Sequence, residues 1–197
     1  MTIPISLIVA MAERNVIGVR AHNNMPWHMP ADLKYFREKT RYKPVIMGRR
    51  TYDSIGKPLI DRMNFVVSRD KNLKLPNIQV CHSLQEAIER SHLYIQQHPF
   101  ASRYNQPPQK EGSGLIADAE DEIMMIGGAS LFEQAMPMAN RFYLTKIHAN
   151  VEGDVCFPVW DDPKEQPNSL WQLISQVDHR ADEKNLYDYS FCLYAKK

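Results

Sequence analysis

The chain alternates short apolar runs with stretches of helical periodicity. Five apolar runs predict buried strands at residues 5–10, 44–48, 63–68, 78–81 and 122–126. Helical patterns follow or separate these runs at residues 30–40, 49–55, 84–95 and 129–136. This succession of strand, helix and strand is typical of an α/β domain with a central, mostly parallel sheet.

The last part of the chain has a different periodicity. Residues 141–147 and 187–195 alternate apolar and polar positions with period two, and residues 170–178 do so more weakly. Non-helical segments join these strands, which predicts an antiparallel edge at the C-terminal side of the sheet. We therefore predict one domain over residues 1–197, with its sheet flanked by about four helices.

One long segment does not fit this pattern. Residues 98–121 are rich in proline, glycine, serine and charged side chains, which predicts an exposed loop. We place a surface insertion at about residues 91–121 on this basis. Such a loop either serves the function or is merely tolerated, because the entropy of loop closure grows slowly with length.

Composition argues against several classes of protein. The chain has 24 basic and 23 acidic residues and no run of Lys and Arg, unlike nucleic-acid or membrane-surface proteins. The N-terminal run ends in a motif that resembles a signal-peptide cleavage site, but no basic residue precedes it, so a buried strand is the better interpretation.

Three widely spaced cysteines favour a reducing, cytoplasmic compartment. Histidine spacing gives no indication of a metal site.

Three predicted strand ends carry residues suited to phosphate groups. Free N–H groups and the positive end of the helix dipole converge where a helix begins, and arginines and hydroxyls there bind phosphate. The three groups are Gly48 with Arg49, Arg50 and Thr51; Gly127 and Gly128 with Ala129, Ser130 and Leu131; and Ser68 with Arg69. Together they favour a dinucleotide cofactor at the carboxyl ends of parallel strands, although each alone is common in turns.

Asp32 lies in the first turn of the predicted helix at residues 30–40. An acidic residue is common there because it complements the helix dipole. Alternatively, the carboxylate lies on the apolar side of the helix with Leu33 and Phe36, which we expect to face apolar surroundings. Its pKa would then be raised, and it could accept two parallel hydrogen bonds from a ligand. The residues alone leave both interpretations open.

Five segments, in this order, resemble dihydrofolate reductase of the bacterial chromosomal type: PISLIVAMAERNVIG, MPWHMPADLKYF, KPVIMGRRTYDSIGKPL, EIMMIGGASLFEQ and FYLTKIHANVEGDVCFP. The resemblance extends over residues 5–195 and is interrupted by the insertion. It implies reduction of 7,8-dihydrofolate to tetrahydrofolate with NADPH in one-carbon metabolism, binding of antifolate inhibitors, and a cytoplasmic monomer. The alternatives are a reductase of the same fold acting on another pterin or a pyrimidine, and an inactive NADPH- or antifolate-binding protein.

The resemblance also implies a role for individual residues. Asp32 would be the catalytic carboxylate, with Thr145 as its hydrogen-bond partner and Trp27 ordering a water near the substrate. The pterin and aminobenzoyl ring would contact Ile8, Val9, Ala10, Leu33, Phe36, Ile55, Leu59 and Ile126, and the glutamate tail would pair with Arg62. The cofactor would contact Ala10, Ile17, Met25, Gly48, Arg49, Arg50, Thr51, Ser68, Arg69, Gly127, Gly128, Ala129, Ser130, Leu131 and Phe132. The adenosine 2′-phosphate would lie at Arg49, Ser68 and Arg69, and the Gly127–Gly128 peptide would be cis.

The loop at residues 13–26 departs from the family pattern. The stretch GVRAHNNMPW, residues 18–27, looks about two residues longer than usual. The resemblance implies that the loop at residues 13–26 closes over the site and that Gly153 and Asp154 stabilise the closed form. His28 and Leu186 replace an asparagine and a serine that, in the family, pair to hold an alternative loop state. The resemblance therefore leaves that state in doubt for this chain.

Overall fold

The structure, a computed structural model, describes residues 3–99 and 120–197. Within these ranges the strands are β1 (Ile5–Met11), β2 (Val16–Gly18), β3 (Pro44–Gly48), β4 (Met63–Val67), β5 (Gln79–Cys81), β6 (Ile123–Gly127), β7 (Arg141–Ile147), β8 (Val155–Cys156), β9 (Trp171–His179) and β10 (Tyr189–Lys196). The α-helices are α1 (Pro30–Thr40), α2 (Arg49–Ile55), α3 (Leu84–Gln97) and α4 (Ala129–Ala135).

Eight of these strands form one sheet in the order β5-β4-β3-β6-β1-β7-β10-β9. The pairs from β5 to β7 are parallel, whereas β10 is antiparallel to both β7 and β9. This confirms the predicted α/β class and the antiparallel C-terminal edge. Because β3 pairs with β6, the strand ends at Gly48 and Gly127 lie side by side.

The two faces of the sheet are covered by different helices. Leu7 and Met11 of β1 belong to a buried cluster that includes side chains of α3 and α4. Ile8, between them in sequence, faces the other way and packs in a cluster with Tyr35 of α1 and with α2. Successive side chains alternate across a strand, so β1 is buried on both faces. Its carboxyl end therefore lies between α1 on one side and α4 on the other.

The predicted insertion begins inside a helix. Helix α3 continues to Gln97, so residues 91–97 are helical. Ser91 and Ile95 are buried, as the predicted helical stripe requires. Residues 100–119, which make up most of the predicted exposed loop, lie outside the described residues.

A short two-stranded ribbon was not predicted. The sequence predicts a loop after β1 as far as Pro26, but β2 pairs antiparallel with β8 there, with Val16 opposite Cys156 and Gly18 opposite Val155. Strands of two and three residues are too short to show a period-two pattern. Their partner is also remote in the sequence, so nothing local indicates the pairing.

A buried charged network lies at the opposite end of the sheet from the glycines. Lys43 Nζ donates to Glu122 Oε2 at 2.6 Å, and the side chains are 3% and 0% exposed. The Ser6 hydroxyl also donates to Glu122, and the Tyr143 hydroxyl lies 3.3 Å from it. Such pairing keeps the buried charges compensated, since loss of one partner leaves an isolated charge. The network joins β1, β6 and β7 away from the candidate site.

Among the described residues, none of the helices is both long and apolar enough to cross a membrane.

Candidate active site

Asp32 lies at the carboxyl ends of the central strands, on the first turn of α1. Its side chain is 7% exposed, and the hydroxyl of Thr145 donates a hydrogen bond to it. Thr145 stands on β7 opposite Ala10 of β1. Burial raises the pKa of Asp32 from 3.8 to about 6, and the hydrogen bond from Thr145 offsets part of this rise. The structure therefore places the carboxyl group at the end of the sheet, away from water.

One expectation for helix α1 is wrong. Leu33 is 45% exposed, whereas we expected it to face apolar surroundings. The buried face of α1 instead contains Asp32, Tyr35, Lys39 and Thr40. Tyr35 lies three residues after Asp32 and shares its face, while Leu33 is turned about 100° away. The Tyr35 ring stacks on Phe191 of β10 at 4.1 Å and fixes this face against the sheet.

Trp27 has an unpartnered donor beside the site. The residue is 8% exposed and packs in a cluster with Ala10 and Met29. Among the described residues, its indole Nε1 is the one buried side-chain nitrogen or oxygen without a hydrogen-bond partner. A buried donor left unpaired costs about 1–3 kcal/mol. The position is therefore suited to a bound water or ligand that accepts this hydrogen bond.

Most of the predicted substrate wall comes together on the same face of the sheet. Ile8 is the buried centre, and the half-buried side chains packed against its cluster include Phe36, Ile55, Leu59 and Ile126. Val9 differs, since its side chain packs against the cluster on the opposite face. Only its backbone can face the pocket. The structure thus assembles an apolar wall from α1, α2, β1 and β6, next to one carboxyl group.

Arg62 lies at the outer end of this wall. Its guanidinium donates to Ile60 O at 2.9 Å and to Thr40 Oγ1 at 3.0 Å, and it stands 5.9 Å from the Phe36 ring. Burial lowers the pKa of Arg62, and repulsion from Arg37 lowers it further. Within residues 3–99 and 120–197 no carboxylate is hydrogen bonded to this guanidinium. It is therefore a suitable partner for an anionic ligand group.

The two predicted strand-to-helix junctions form one cradle. The Gly127–Gly128 peptide is cis, as the resemblance implied, and Gly127 has φ +118°. A Cβ on Gly128 would lie 3.3 Å from Thr51 Oγ1, and a Cβ on Gly48 would lie 3.8 Å from Gly128 N. Side chains at these glycines would fill the space between the two helix starts. Because these positions have no Cβ, a phosphate-bearing cofactor could approach the backbone closely in this cradle.

The start of α4 leaves donors available to such a group. Helix α4 follows Gly128 without a side-chain cap, and the N–H groups of Leu131 and Phe132 donate to Gly128 O at 2.9 and 3.0 Å. The N–H groups of Ala129 and Ser130 are left without a partner inside the helix. Leu131 and Phe132 themselves are buried in the core, so their side chains support the cradle from below.

The arginines lie along the adjacent strand ends. Gly48 pairs with Val67, which brings the start of α2 beside Ser68 and Arg69. Arg49 donates to Asp53 at 2.6 Å, while Arg50 and Arg69 are exposed. His82, at the end of β5, places Nδ1 3.2 Å from Ser68 O. His82 was not predicted, since a lone histidine shows no pattern.

The loop at residues 13–26 is hydrogen bonded to two other segments near the site. Arg20 N–H donates to Asp154 Oδ1 at 2.7 Å, as expected for contact with the segment around Gly153. Asn23 Nδ2 donates to Arg50 O at 2.9 Å, which ties the loop tip to the start of α2. Ile17 packs partly buried against the core, whereas Met25 is 39% exposed. Leu186 is also exposed, at 68%.

The described residues contain no cluster of three His, Cys, Asp or Glu that could hold a metal ion. The chemistry available at the site is therefore that of one carboxyl group, an indole N–H, an apolar wall and a phosphate-binding cradle.

Comparison with known proteins gives one family. The family model described as dihydrofolate reductase matches residues 4–196. The chain is 38% identical over 193 residues to dihydrofolate reductase type 3 of Salmonella typhimurium, covering 98% of each chain. It is 39% identical over 194 residues to the dihydrofolate reductase of Haemophilus influenzae, again covering 98% of each. The Bacillus subtilis enzyme is 36% identical over 193 residues, with 98% of this chain and 95% of that protein covered.

A solved structure agrees with this assignment. The chain is similar to the dihydrofolate reductase from Enterococcus faecalis complexed with NADP(H) and RAB-propyl, with a TM-score of 0.76 and 27% identity. The match covers 98% of this chain and 96% of that one. The chain belongs to the dihydrofolate reductase family.

Proposed function

We propose that this chain reduces 7,8-dihydrofolate to tetrahydrofolate with NADPH, and that Asp32 is the catalytic carboxylate. The observation that carries the proposal is a buried carboxyl group with its pKa raised to about 6. It lies at the carboxyl ends of the central strands, as the glycine cradle does. NADPH supplies the hydride when it is bound. The protein's part is to orient the two rings, exclude water and control the proton at the pterin.

Asp32 has the chemistry to recognise the amino edge of a pterin. An ionised carboxylate accepts two parallel hydrogen bonds from an amino group and an adjacent ring nitrogen. Thr145 fixes its orientation from below. A pKa near neutrality allows the carboxyl group to favour protonation of the imine nitrogen that accompanies hydride transfer. The unpartnered Trp27 N–H supports its proposed role, in which it would order a water near the substrate.

The remaining substrate contacts follow from shape and charge. The cluster around Ile8, with Phe36 and Leu59, would enclose the pterin and aminobenzoyl rings, and exposed Leu33 would gain burial when the ligand binds. The guanidinium of Arg62, which is hydrogen bonded to no carboxylate of the described residues, would take the α-carboxylate of the glutamate tail. Antifolates with the same amino edge would bind Asp32 in the same way.

The cofactor would lie across the glycine cradle. The pyrophosphate would accept hydrogen bonds from the starts of α2 and α4, and the nicotinamide would lie beside Ala10, Ile17 and the Gly127–Gly128 peptide. Phe132 would support it only through packing below Gly127, since its ring lies 3.3 Å from a Cβ placed there. Arg49, Ser68 and Arg69 would bind the 2′-phosphate, which favours NADPH over NADH.

Arg69→Gln tests the assignment of the 2′-phosphate. Removing an exposed guanidinium that contacts this phosphate should weaken NADPH about five- to tenfold, with NADH affected much less. Fluorescence titration of both cofactors measures the two dissociation constants. Lys74→Gln, at an exposed lysine nearby, serves as the control. Equal weakening of NADPH and NADH by Arg69→Gln would contradict the assignment.

The overall activity is tested by a cofactor oxidation assay. Loss of NADPH absorbance should require 7,8-dihydrofolate and should stop on titration with an antifolate. If the protein oxidised NADPH faster with another pterin or a pyrimidine than with dihydrofolate, that compound would be the substrate in place of dihydrofolate. A protein that binds NADPH but oxidises it with none of these substrates would contradict the enzyme assignment.

We also propose a single domain that acts as a monomer in the cytoplasm. Support for the compartment comes from the cysteines, all three of which are free, with Cys81 and Cys192 buried. In oxidising compartments cysteines are usually paired in disulfides, whereas in the cytoplasm they usually stay reduced. Size-exclusion chromatography with light scattering would test the monomer.

A further inference from the structure

Helix α1, which carries Asp32, begins without a cap from its own neighbourhood. Met29 at the N-cap position makes no side-chain hydrogen bond to the helix, and Pro30 follows it. Proline has no N–H, so the first backbone donor of the helix is that of Ala31. This donor lies directly before Asp32, at a half-buried helix end where an unpartnered N–H destabilises the helix.

Asn185 supplies the acceptor from the connection between β9 and β10, residues 180–188. Its Oδ1 accepts from Ala31 N–H at 2.9 Å, although the two residues are 154 positions apart. Its Nδ2 lies 3.0 Å from both carboxylate oxygens of Asp182. Since Ala31 only donates there and Asp182 only accepts, the orientation of the amide is fixed. Asn185 is 6% exposed, whereas Asp182 is exposed, so only the Asn185 end of these bonds is shielded from water.

The connection that holds Asn185 is itself closed by hydrogen bonds. Asp182 accepts from the N–H groups of Lys184 at 2.8 Å and Asn185 at 2.7 Å, and its own N–H donates to Asn185 O at 2.8 Å. Arg180 pairs with Asp188 at 2.6 Å across the base of the connection. Asn185 therefore acts from a structured turn. The stack of Tyr35 on Phe191 holds α1 one turn further along, and the bond from Ala31 N–H to Asn185 adds a contact at the first turn.

We infer that Asn185 is a positioning residue that fixes the first turn of α1, so that the Asp32 carboxylate stays buried and within reach of the Thr145 hydroxyl. It acts through the backbone of Ala31 and is not itself a catalytic residue. The inference rests on the role proposed above for Asp32. The β9–β10 connection would thus influence the reaction, although it is far from Asp32 in the sequence.

Asn185→Ala tests this inference with two independent measurements. The rate constant of hydride transfer, measured in a single turnover with NADPH already bound, should fall about fivefold at pH 7. Carbon NMR titration of the free protein should show the pKa of Asp32 falling toward its ordinary value, because the loosened turn admits water. NADPH affinity should be unchanged, since α1 forms no part of the glycine cradle.

A second variant separates positioning from loss of structure. Asp182→Asn/Asn185→Asp exchanges the two groups, keeps an acceptor for Ala31 N–H and keeps the amide–carboxylate bond. It should restore most of the rate and keep the pKa of Asp32 above its ordinary value, because the carboxylate at position 185 adds a negative charge near Asp32. Glu183→Ala removes an exposed side chain of the same turn and serves as the matched control, with wild-type behaviour expected.

Two results would overturn the inference. One is an Asn185→Ala protein with unchanged hydride transfer and unchanged titration of Asp32. The other is a parallel loss of rate and NADPH affinity without a change in that titration, which would show that the effect of Asn185 does not pass through the first turn of α1. Wild-type protein without dihydrofolate-dependent activity would instead refute the proposed function, while the NMR titration would still decide whether Asn185 controls Asp32.

Discussion

Replacing Asp32 by asparagine should slow dihydrofolate reduction at pH 7 by about 10²- to 10³-fold, the usual contribution of a positioned acid or base. The amide can still accept a hydrogen bond from Thr145, but it carries no charge and releases no proton. Reduction should recover in part below about pH 5, where solvent protonates the substrate directly. Pre-steady-state measurement of hydride transfer from pH 5 to 9 tests both parts.

The same substitution should stabilise the free protein at neutral pH. A pKa of about 6, against an ordinary value of 3.8, corresponds to a cost of about 3 kcal/mol for the ionised carboxylate, at about 1.4 kcal/mol per pKa unit. Below pH 3.8 the carboxyl group is protonated in both folded and unfolded states, and the asparagine offers no advantage. Between 3.8 and about 6 only the folded state keeps the proton, so the wild-type protein loses stability as pH rises. Above about pH 6 the difference in unfolding free energy between the wild-type and Asp32→Asn proteins no longer changes with pH.

Urea unfolding at pH 4 and pH 7.5 measures this difference. Glu38→Gln, an isosteric change on the exposed face of the same helix, should change neither rate nor stability beyond a few tenths of a kcal/mol. An Asp32→Asn protein with the wild-type rate at pH 7 would contradict the catalytic role. An Asp32→Asn protein less stable than wild type at pH 7.5 would show that the buried carboxyl group is better compensated than its surroundings indicate.

The predictions that succeeded rest on local patterns. Each predicted apolar run became a strand of the main sheet, and the runs of β1, β3 and β6 are buried almost throughout because these central parallel strands are covered on both faces. The stripe from Leu84 to Ile95 became the buried face of α3 for the same reason. The paired glycines met Gly48 because adjacent parallel strands bring their carboxyl ends to one edge. Local sequence and sheet geometry were sufficient for these features.

The features that were missed depend on distant partners. Glu122 and Lys43 pair across the sheet, and neither residue type predicts burial. Leu33 was expected to be buried because its residue type is apolar, but the position of Tyr35 on the helix face decides which side meets the sheet. Asn185 caps α1 from the far end of the chain. Periodicity carries no information about such contacts, because they are set only when the chain is folded.

Replacing Gly153 by alanine should lower the rate of hydride transfer by about 10- to 100-fold, although this residue lies outside the predicted substrate and cofactor contacts. A Cβ there would overlap the Val16 side chain and lie 2.8 Å from the Gly18 carbonyl oxygen. Val16 and Gly18 belong to β2, at the start of the loop that we expect to close over the site, and backbone atoms cannot give way as a flexible side chain can. The loop must therefore move away from β8.

Displacement of the ribbon would also break the contact between Arg20 N–H and Asp154, so the loop would spend less time closed over the cofactor. Stopped-flow measurement should therefore show slower hydride transfer together with faster NADPH dissociation, while the unfolding free energy falls by no more than about 1–2 kcal/mol, as is usual for a surface turn. Glu152→Ala, at the exposed neighbouring position, provides the control. Unchanged NADPH dissociation and unchanged hydride transfer in the Gly153→Ala protein would show that loop closure does not depend on this ribbon.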